Sequence, residues 1–106
     1  MPFHGRVAVL VNEHTRSAAE MIAAFVRNEG VAHVIGTRTP GEVLGAANFH
    51  VGADYRLRMP VTAWYTAKDE LIEGKGVAPE SEQVTTLETL VSGKDPAMDA
   101  ALSVLR

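Results

Sequence analysis

Ser17 follows an apolar run, Val7-Ala8-Val9-Leu10-Val11, and a polar turn, Asn12-Glu13-His14-Thr15, and it opens an amphipathic stretch. A serine in that position can act as a nucleophile for two reasons. A helix N-terminus offers unpaired N–H groups and partial positive charge, which favour a developing oxyanion. The amide of the next residue, Ala18, can point into an oxyanion hole, a contact of about 3–4 kcal/mol in an acyl-transfer transition state. The same residues have a plainer reading. Ser17-Ala18-Ala19-Glu20 fits the capping box S-x-x-E, in which serine and glutamate satisfy each other's backbone donors. Local pattern leaves both readings open.

A serine nucleophile needs a base within hydrogen-bond reach. The histidines are His4, His14, His33 and His50, and the lysines are Lys68, Lys75 and Lys94. His14 is near Ser17 in sequence, but a ring three residues away across a turn is expected to face solvent. No pair of histidines has metal-ligand spacing with a partner carboxylate, so no metal is implied, and nothing points to a cofactor. The chain has no cysteine, which excludes a thiolate nucleophile, disulfides and cysteine-held zinc.

The elements that must position Ser17 follow from periodicity. Val7 to Val11 is rich in β-branched residues, the pattern of a strand buried on both faces of a parallel sheet. Ala18, Met21, Ile22, Phe25 and Val26 recur at helical spacing on one face, and Gly30 sits where a C-cap glycine belongs. Val31 to Ile35, closed by Gly36, predicts a second strand. Strand, helix and strand make a βαβ unit with a right-handed crossover. Thr37 to Gly45 reads as a loop. Phe49 and Val51 lead to a turn at Gly52-Ala53-Asp54, and Tyr55, Leu57, Met59 and Val61 alternate with Arg56, Arg58 and Pro60. That alternation predicts one buried and one wet face, with Pro60 at an edge or strand end. Thr62 to Thr66 reads as another strand, and Glu73 to Pro79 as a loop. Asp95 as N-cap and Pro96 at the first position open a final helix with Met98, Ala101, Leu102 and Leu105 on one face. The sum is a small α/β layer structure, a βαβ unit followed by β-strands and a C-terminal helix.

Bulk properties narrow the function classes. A chain of 106 residues is one small domain or a piece of a larger one, and 46% hydrophobic residues suit a packed core. A formal charge of -3 without a basic block argues against nucleic-acid binding. The longest apolar run is too short to span a membrane. The first residues lack a charged-then-apolar leader, so no signal peptide is expected.

The wider pattern decides between the two readings of Ser17. Residues Val7 to Met21 resemble the nucleophile segment of the C-terminal processing (tail-specific) serine peptidases: a hydrophobic strand, Asn or Asp, a short turn with Thr, then Ser-Ala-x-Glu opening a helix. Val34-Ile35-Gly36-Thr37-Arg38-Thr39-Pro40-Gly41 is similar to the family's valine-glycine-glutamate-x-threonine-x-glycine stretch. Glu73-Gly74-Lys75-Gly76-Val77-Ala78-Pro79 is similar to its loop ending glycine-valine-x-proline-aspartate, and Gly93-Lys94-Asp95-Pro96 looks like the family's end. The resemblance covers nearly the whole chain in the right order and spacing.

That resemblance implies a ClpP/crotonase-like peptidase fold. The 106 residues would form the C-terminal portion of the catalytic domain, with the upstream half and any PDZ domain lying outside it. It further implies that Ser17 attacks a peptide carbonyl to form an acyl-enzyme, with the Ala18 amide at the oxyanion. Many members place a lysine base where this chain has Glu42, which is expected to be a surface residue here. The tricorn-like branch instead uses an upstream histidine oriented by a glutamate, and Glu73 matches that glutamate by its spacing to Gly76-Val77. The bland reading of Glu73 is a solvated loop carboxylate. With the base and part of the oxyanion hole upstream, little activity is expected of the chain alone. The substrate would be a polypeptide. A non-catalytic binding or assembly module on the same fold is the alternative, favoured by the substitution at Glu42. Open strand edges and apolar surface predict a homo-oligomer. The compartment stays open between cytoplasm and cell envelope.

Overall fold

The computed structural model describes residues 2–106, so of the N-terminal stretch Met1 lies outside them. The apolar run becomes β1 (Ala8–Val11), which pairs in parallel with β2 (His33–Gly36) in the register Ala8↔His33 to Val11↔Gly36. Between them runs α1 (Ala18–Glu29), stopped by Gly30 in the left-handed conformation with φ 64°. A hairpin of β3 (Gly45–His50) and β4 (Arg56–Thr62) follows, then the short β5 (Ser81–Glu82), α2 (Leu87–Val91) and α3 (Pro96–Leu105). Asp95 caps α3 by accepting from the Met98 amide at 3.0 Å. The parallel sheet has the order β1-β2-β5.

Strand alternation assigns the two faces of this sheet. Val9, Val11 and Val34 pack with Ala23 and Ala24 of α1, joined by Val43, Ile72 and Val77 from the loops. Leu10 and Ile35, paired across β1 and β2, point the other way, and α3 packs on both strands. Helices thus cover both faces, as the fold class requires. β5 was not legible in the sequence: it is two residues long, fixed to β2 by Glu80, whose amide donates to the Val34 carbonyl and whose carboxylate accepts from the Val34 amide. α2 is likewise a short element without a sequence signal beyond its cap at Thr86.

Four expectations are corrected. β1 is not buried on both faces, because α3 covers Leu10 only in part at the edge of a three-stranded sheet and leaves it 41% exposed. α1 buries its apolar stripe only in part: Met21 and Val26 pack against the core, but Ala23 and Ala24 face the sheet and Ile22 and Phe25 are exposed. Small side chains let the helix approach β2 closely, and that approach sets the rotation. The β3–β4 ribbon has no buried face at all; Phe49, Leu57, Met59 and Val61 are exposed because no layer among the described residues packs on them. Pro60 does sit on an edge, since β4 pairs with β3 alone. Finally, no strand spans Thr62 to Thr66. β4 ends at Thr62, and Tyr65 makes a single bridge to Leu71.

The far end of α1 is tied to the loop after Tyr65. Glu70 accepts from Arg27 at 3.1 Å and from Asn28 at 3.0 Å, while the Lys68 ammonium donates to the Asn28 carbonyl. The Asn28 hydrogen bond, aided by the charges of Arg27 and Lys68, holds the Glu70 carboxyl below its ordinary 4.5. A carboxyl depressed in the folded state stabilises above its unfolded value, and that stabilisation fades as pH falls through the lower folded one. The stability gap between wild type and Glu70→Gln in urea titrations should therefore be widest near neutrality and shrink as pH drops below 4.5. A gap constant across the acid limb would assign the contact no charge component.

Candidate active site

The turn after β1 is built by Asn12, whose side chain accepts from the His14 amide at 2.9 Å and whose carbonyl accepts from Thr15. It delivers Ser17 to the mouth of α1 with φ 55° and ψ −124°. A non-glycine residue there is strained by about 1–3 kcal/mol, so the surroundings must over-determine it. They do. The Ser17 amide donates to the Glu42 carbonyl at 3.1 Å and to Glu20 Oε2 at 3.2 Å, and the Ser17 carbonyl accepts from Glu20 and Met21.

Ser17 and Glu20 meet in a capping box: the Glu20 carboxylate accepts from the Ser17 amide at 3.2 Å, and the Ser17 oxygen faces the Glu20 amide without closing a hydrogen bond to it. The side chain is exposed, and no base among the described residues is hydrogen-bonded to it. Among the described residues the Ala18 amide also has no acceptor, although its neighbours Ala19 and Glu20 donate to Arg16 and Ser17. An exposed hydroxyl and a free amide one residue apart can together bind and attack a polarised carbonyl.

The other predicted residues fall as follows. Glu73 is half-buried, and its Oε2 accepts from the Val43 amide at 2.8 Å. Val43 follows Glu42, the residue bonded to Ser17, so Glu73 belongs to the same hydrogen-bonded loops without touching the serine. Glu42 lies at the surface, as expected, its carboxylate paired with Arg16 at 3.2 Å. His14 is exposed beside Glu13, and His4, His33 and His50 are exposed elsewhere. A hollow of about 460 Å³ opens at the carboxyl ends of the strands, lined by Asn12, Glu13, Thr15, Thr37 and Gln83. It comes within two residues of Ser17 in sequence but does not include it.

Two residues of the site escaped the sequence reading. Glu20 is buried, and both its oxygens are used: Oε1 by the Thr39 hydroxyl and the Gly41 amide, Oε2 by the Glu42 and Ser17 amides. Thr39 is buried beside it and accepts from the Val77 amide at 2.8 Å. The S-x-x-E spacing announced a cap and nothing more, since burial of the glutamate depends on a loop twenty residues away. The glycines of the resembling stretches do have a visible cause. A Cβ on Gly41 would lie 2.6 Å from the Gly76 nitrogen, and one on Gly76 would lie 1.8 Å from the Thr39 carbonyl oxygen. The loops 37–43 and 72–77 thus close on each other backbone to backbone.

Comparison with known proteins places the chain in an α/β fold shared with solved peptidase structures. It belongs to peptidase family S41, whose family model matches residues 1–83. It is 30% identical to the tricorn protease of Thermoplasma acidophilum over 103 residues, 95% of this chain and 10% of that protein. It is 38% identical to the carboxy-terminal processing protease CtpA of Bacillus subtilis over 74 residues, 68% of this chain and 16% of that one. A crystal structure of the tricorn protease superposes with a TM-score of 0.87 at 29% identity, covering 95% of this chain and 10% of its own. The photosystem II D1 C-terminal processing protease superposes over 87% of the chain and 26% of its own with a TM-score of 0.68 at 26% identity. The chain therefore spans about a tenth of the length of the tricorn relatives it matches. No helix among the described residues is long and apolar enough to cross a membrane.

Proposed function

We propose that this chain supplies the nucleophile of a serine endopeptidase that hydrolyses polypeptides through an acyl-enzyme on Ser17. The supporting observation is the pairing of an exposed Ser17 hydroxyl, which closes no hydrogen bond to the first turn of α1, with the free Ala18 amide at the mouth of that helix. Strained strand-to-helix turns expose nucleophiles in this way in other serine hydrolases. In the proposed mechanism a base outside these residues takes the Ser17 proton as Oγ attacks the carbonyl. The Ala18 amide and the α1 N-terminus receive the negative charge. Glu73, held by Val43, orients that base from the adjoining loop. The amine leaves with the proton, and water then hydrolyses the ester.

The reading is tested by putting this chain in place of the matching stretch of the Thermoplasma acidophilum tricorn protease. The chimera should hydrolyse peptides, and Ser17→Ala should lower kcat by about 10⁴–10⁶-fold. The isolated chain should label weakly with a fluorophosphonate. A chimera whose activity survives Ser17→Ala would overturn the assignment. Strong labelling of Ser17 in the isolated chain would show instead that its base lies within it. A folded but inert chimera would favour the second reading, a non-catalytic module, which rests on Glu42 being engaged by Arg16 at the position where the family resemblance implies a lysine.

Exposed Ile22, Phe25, Leu87, Leu90 and Val91 support a further proposal, that copies of the chain self-associate. Light scattering should give a mass above that of one chain, and a monomer at all concentrations would remove it.

A further inference from the structure

Among the described residues, Glu20 is the one charged side chain that is buried, and the reaction outlined above gives it no part. Its environment is unusual in one respect: every partner is a donor. The amides of Gly41 and Glu42 lie at 2.6 and 2.8 Å, and that of Ser17 at 3.2 Å. The Thr39 hydroxyl has one proton and already accepts from Val77, so it gives that proton to Glu20. No cation among the described residues is paired with it: Arg16 is paired with Glu42, and Arg38 donates to the Lys75 carbonyl. A carboxylate withdrawn from water is tolerated only where hydrogen bonds replace its hydration. Here that shell comes from the nucleophile turn and from the loop opposite it.

A helix cap would need only the bond to the Ser17 amide. First-turn glutamates that serve only their own helix can stay in water and reach one amide. Glu20 adds three bonds, from Thr39, Gly41 and Glu42, and so bridges that loop to the strained Ser17 that it also caps.

We propose that Glu20 is a positioning residue of the Ser17 site. Its carboxylate ties the Ser17 amide to the loop Thr39–Glu42, holds the serine in its positive-φ conformation, and so keeps its hydroxyl exposed and the Ala18 amide free. The catalytic consequence rests on the reading of Ser17 as nucleophile, but the tie can be tested without turnover.

Only an acceptor-only group satisfies four donors. Glutamine at position 20 would turn its NH₂ toward two of them, whereas aspartate keeps the chemistry with a shorter reach. Amide hydrogen exchange of the 106-residue chain is measured for wild type, Glu20→Gln and Glu20→Asp. In Glu20→Gln the amides of Ser17, Gly41 and Glu42 should exchange at least about tenfold faster relative to those of Val34 and Ile35. Glu20→Asp should fall between, and it carries the comparison alone if the glutamine variant does not fold. Exchange that rises equally at both sets of amides, or at neither, would reduce Glu20 to a stabilising residue and overturn the proposal. In the tricorn chimera, Glu20→Gln should lower kcat about 10²-fold with KM within about twofold, the size of effect that misplacing a reacting group produces. A Glu20→Gln chimera as fast as its parent would also sink the proposal. Failure of the nucleophile reading would register separately, as activity that survives Ser17→Ala.

Discussion

Gly76→Ala should lower the unfolding free energy of the chain by about 3–5 kcal/mol, whereas Gly74→Ala in the same loop should cost about 1–2 kcal/mol. Both glycines have φ near 70° (71° at Gly74, 68° at Gly76), so the backbone penalty for a side chain is the same. They differ in what surrounds them. An added Cβ at Gly74 meets nothing within 4 Å, while one at Gly76 meets the Thr39 carbonyl oxygen at 1.8 Å and its carbon at 2.7 Å. Backbone cannot rotate away as a side chain can, so relief requires the two loops to separate.

Separation would break more than one contact. Val77 and Thr39 exchange two bonds, Thr39 amide to Val77 carbonyl at 3.1 Å and Val77 amide to Thr39 hydroxyl at 2.8 Å. Losing them would free Thr39 from its place beside Glu20 and loosen the Glu73 contact to Val43. Urea denaturation of the two variants, compared at equal m-value, checks the difference. Equal costs at Gly74 and Gly76 would mean that the loops 37–43 and 72–77 do not close in solution.

This pair of loops marks where the sequence stops being informative. The strand, turn and helix around Ser17 were legible because each rests on local rules: β-branched residues in Val7–Val11, a run of polar residues from Asn12 to Thr15, and glycine at the helix C-cap. The family was legible because four short stretches kept their order. What could not be read was which face of α1 turns inward. Apolar spacing selects Ile22 and Phe25, but the helix is rotated by Ala23 and Ala24 packing closely on β2 and by Glu20 finding its donors in a distant loop. The β3–β4 ribbon failed for a related reason. Its alternation correctly announces an amphipathic strand pair, yet periodicity does not say whether anything lies against the apolar side.

That rotation of α1 can be measured by one substitution made twice. Ile35→Ala should cost about 2–5 kcal/mol, because Ile35 is 0% exposed on the α3 side of β2 and serves as the buried reference, its loss leaving a cavity between α3 and the sheet. Ile22→Ala should stay within about 0.5 kcal/mol, since the side chain is 58% exposed and alanine is the better helix former. Chemical denaturation at low protein concentration isolates the chain's own packing from any contact between copies. If Ile22→Ala were as damaging as Ile35→Ala even there, the helix would have to be turned toward the sheet by its bulky stripe. Glu20 would then be carried out of its ring of donors, and the Ser17 turn would lose the contact proposed to hold it. A cost at Ile22 that appears only as concentration rises would instead place that face of α1 between copies, leaving the site as described.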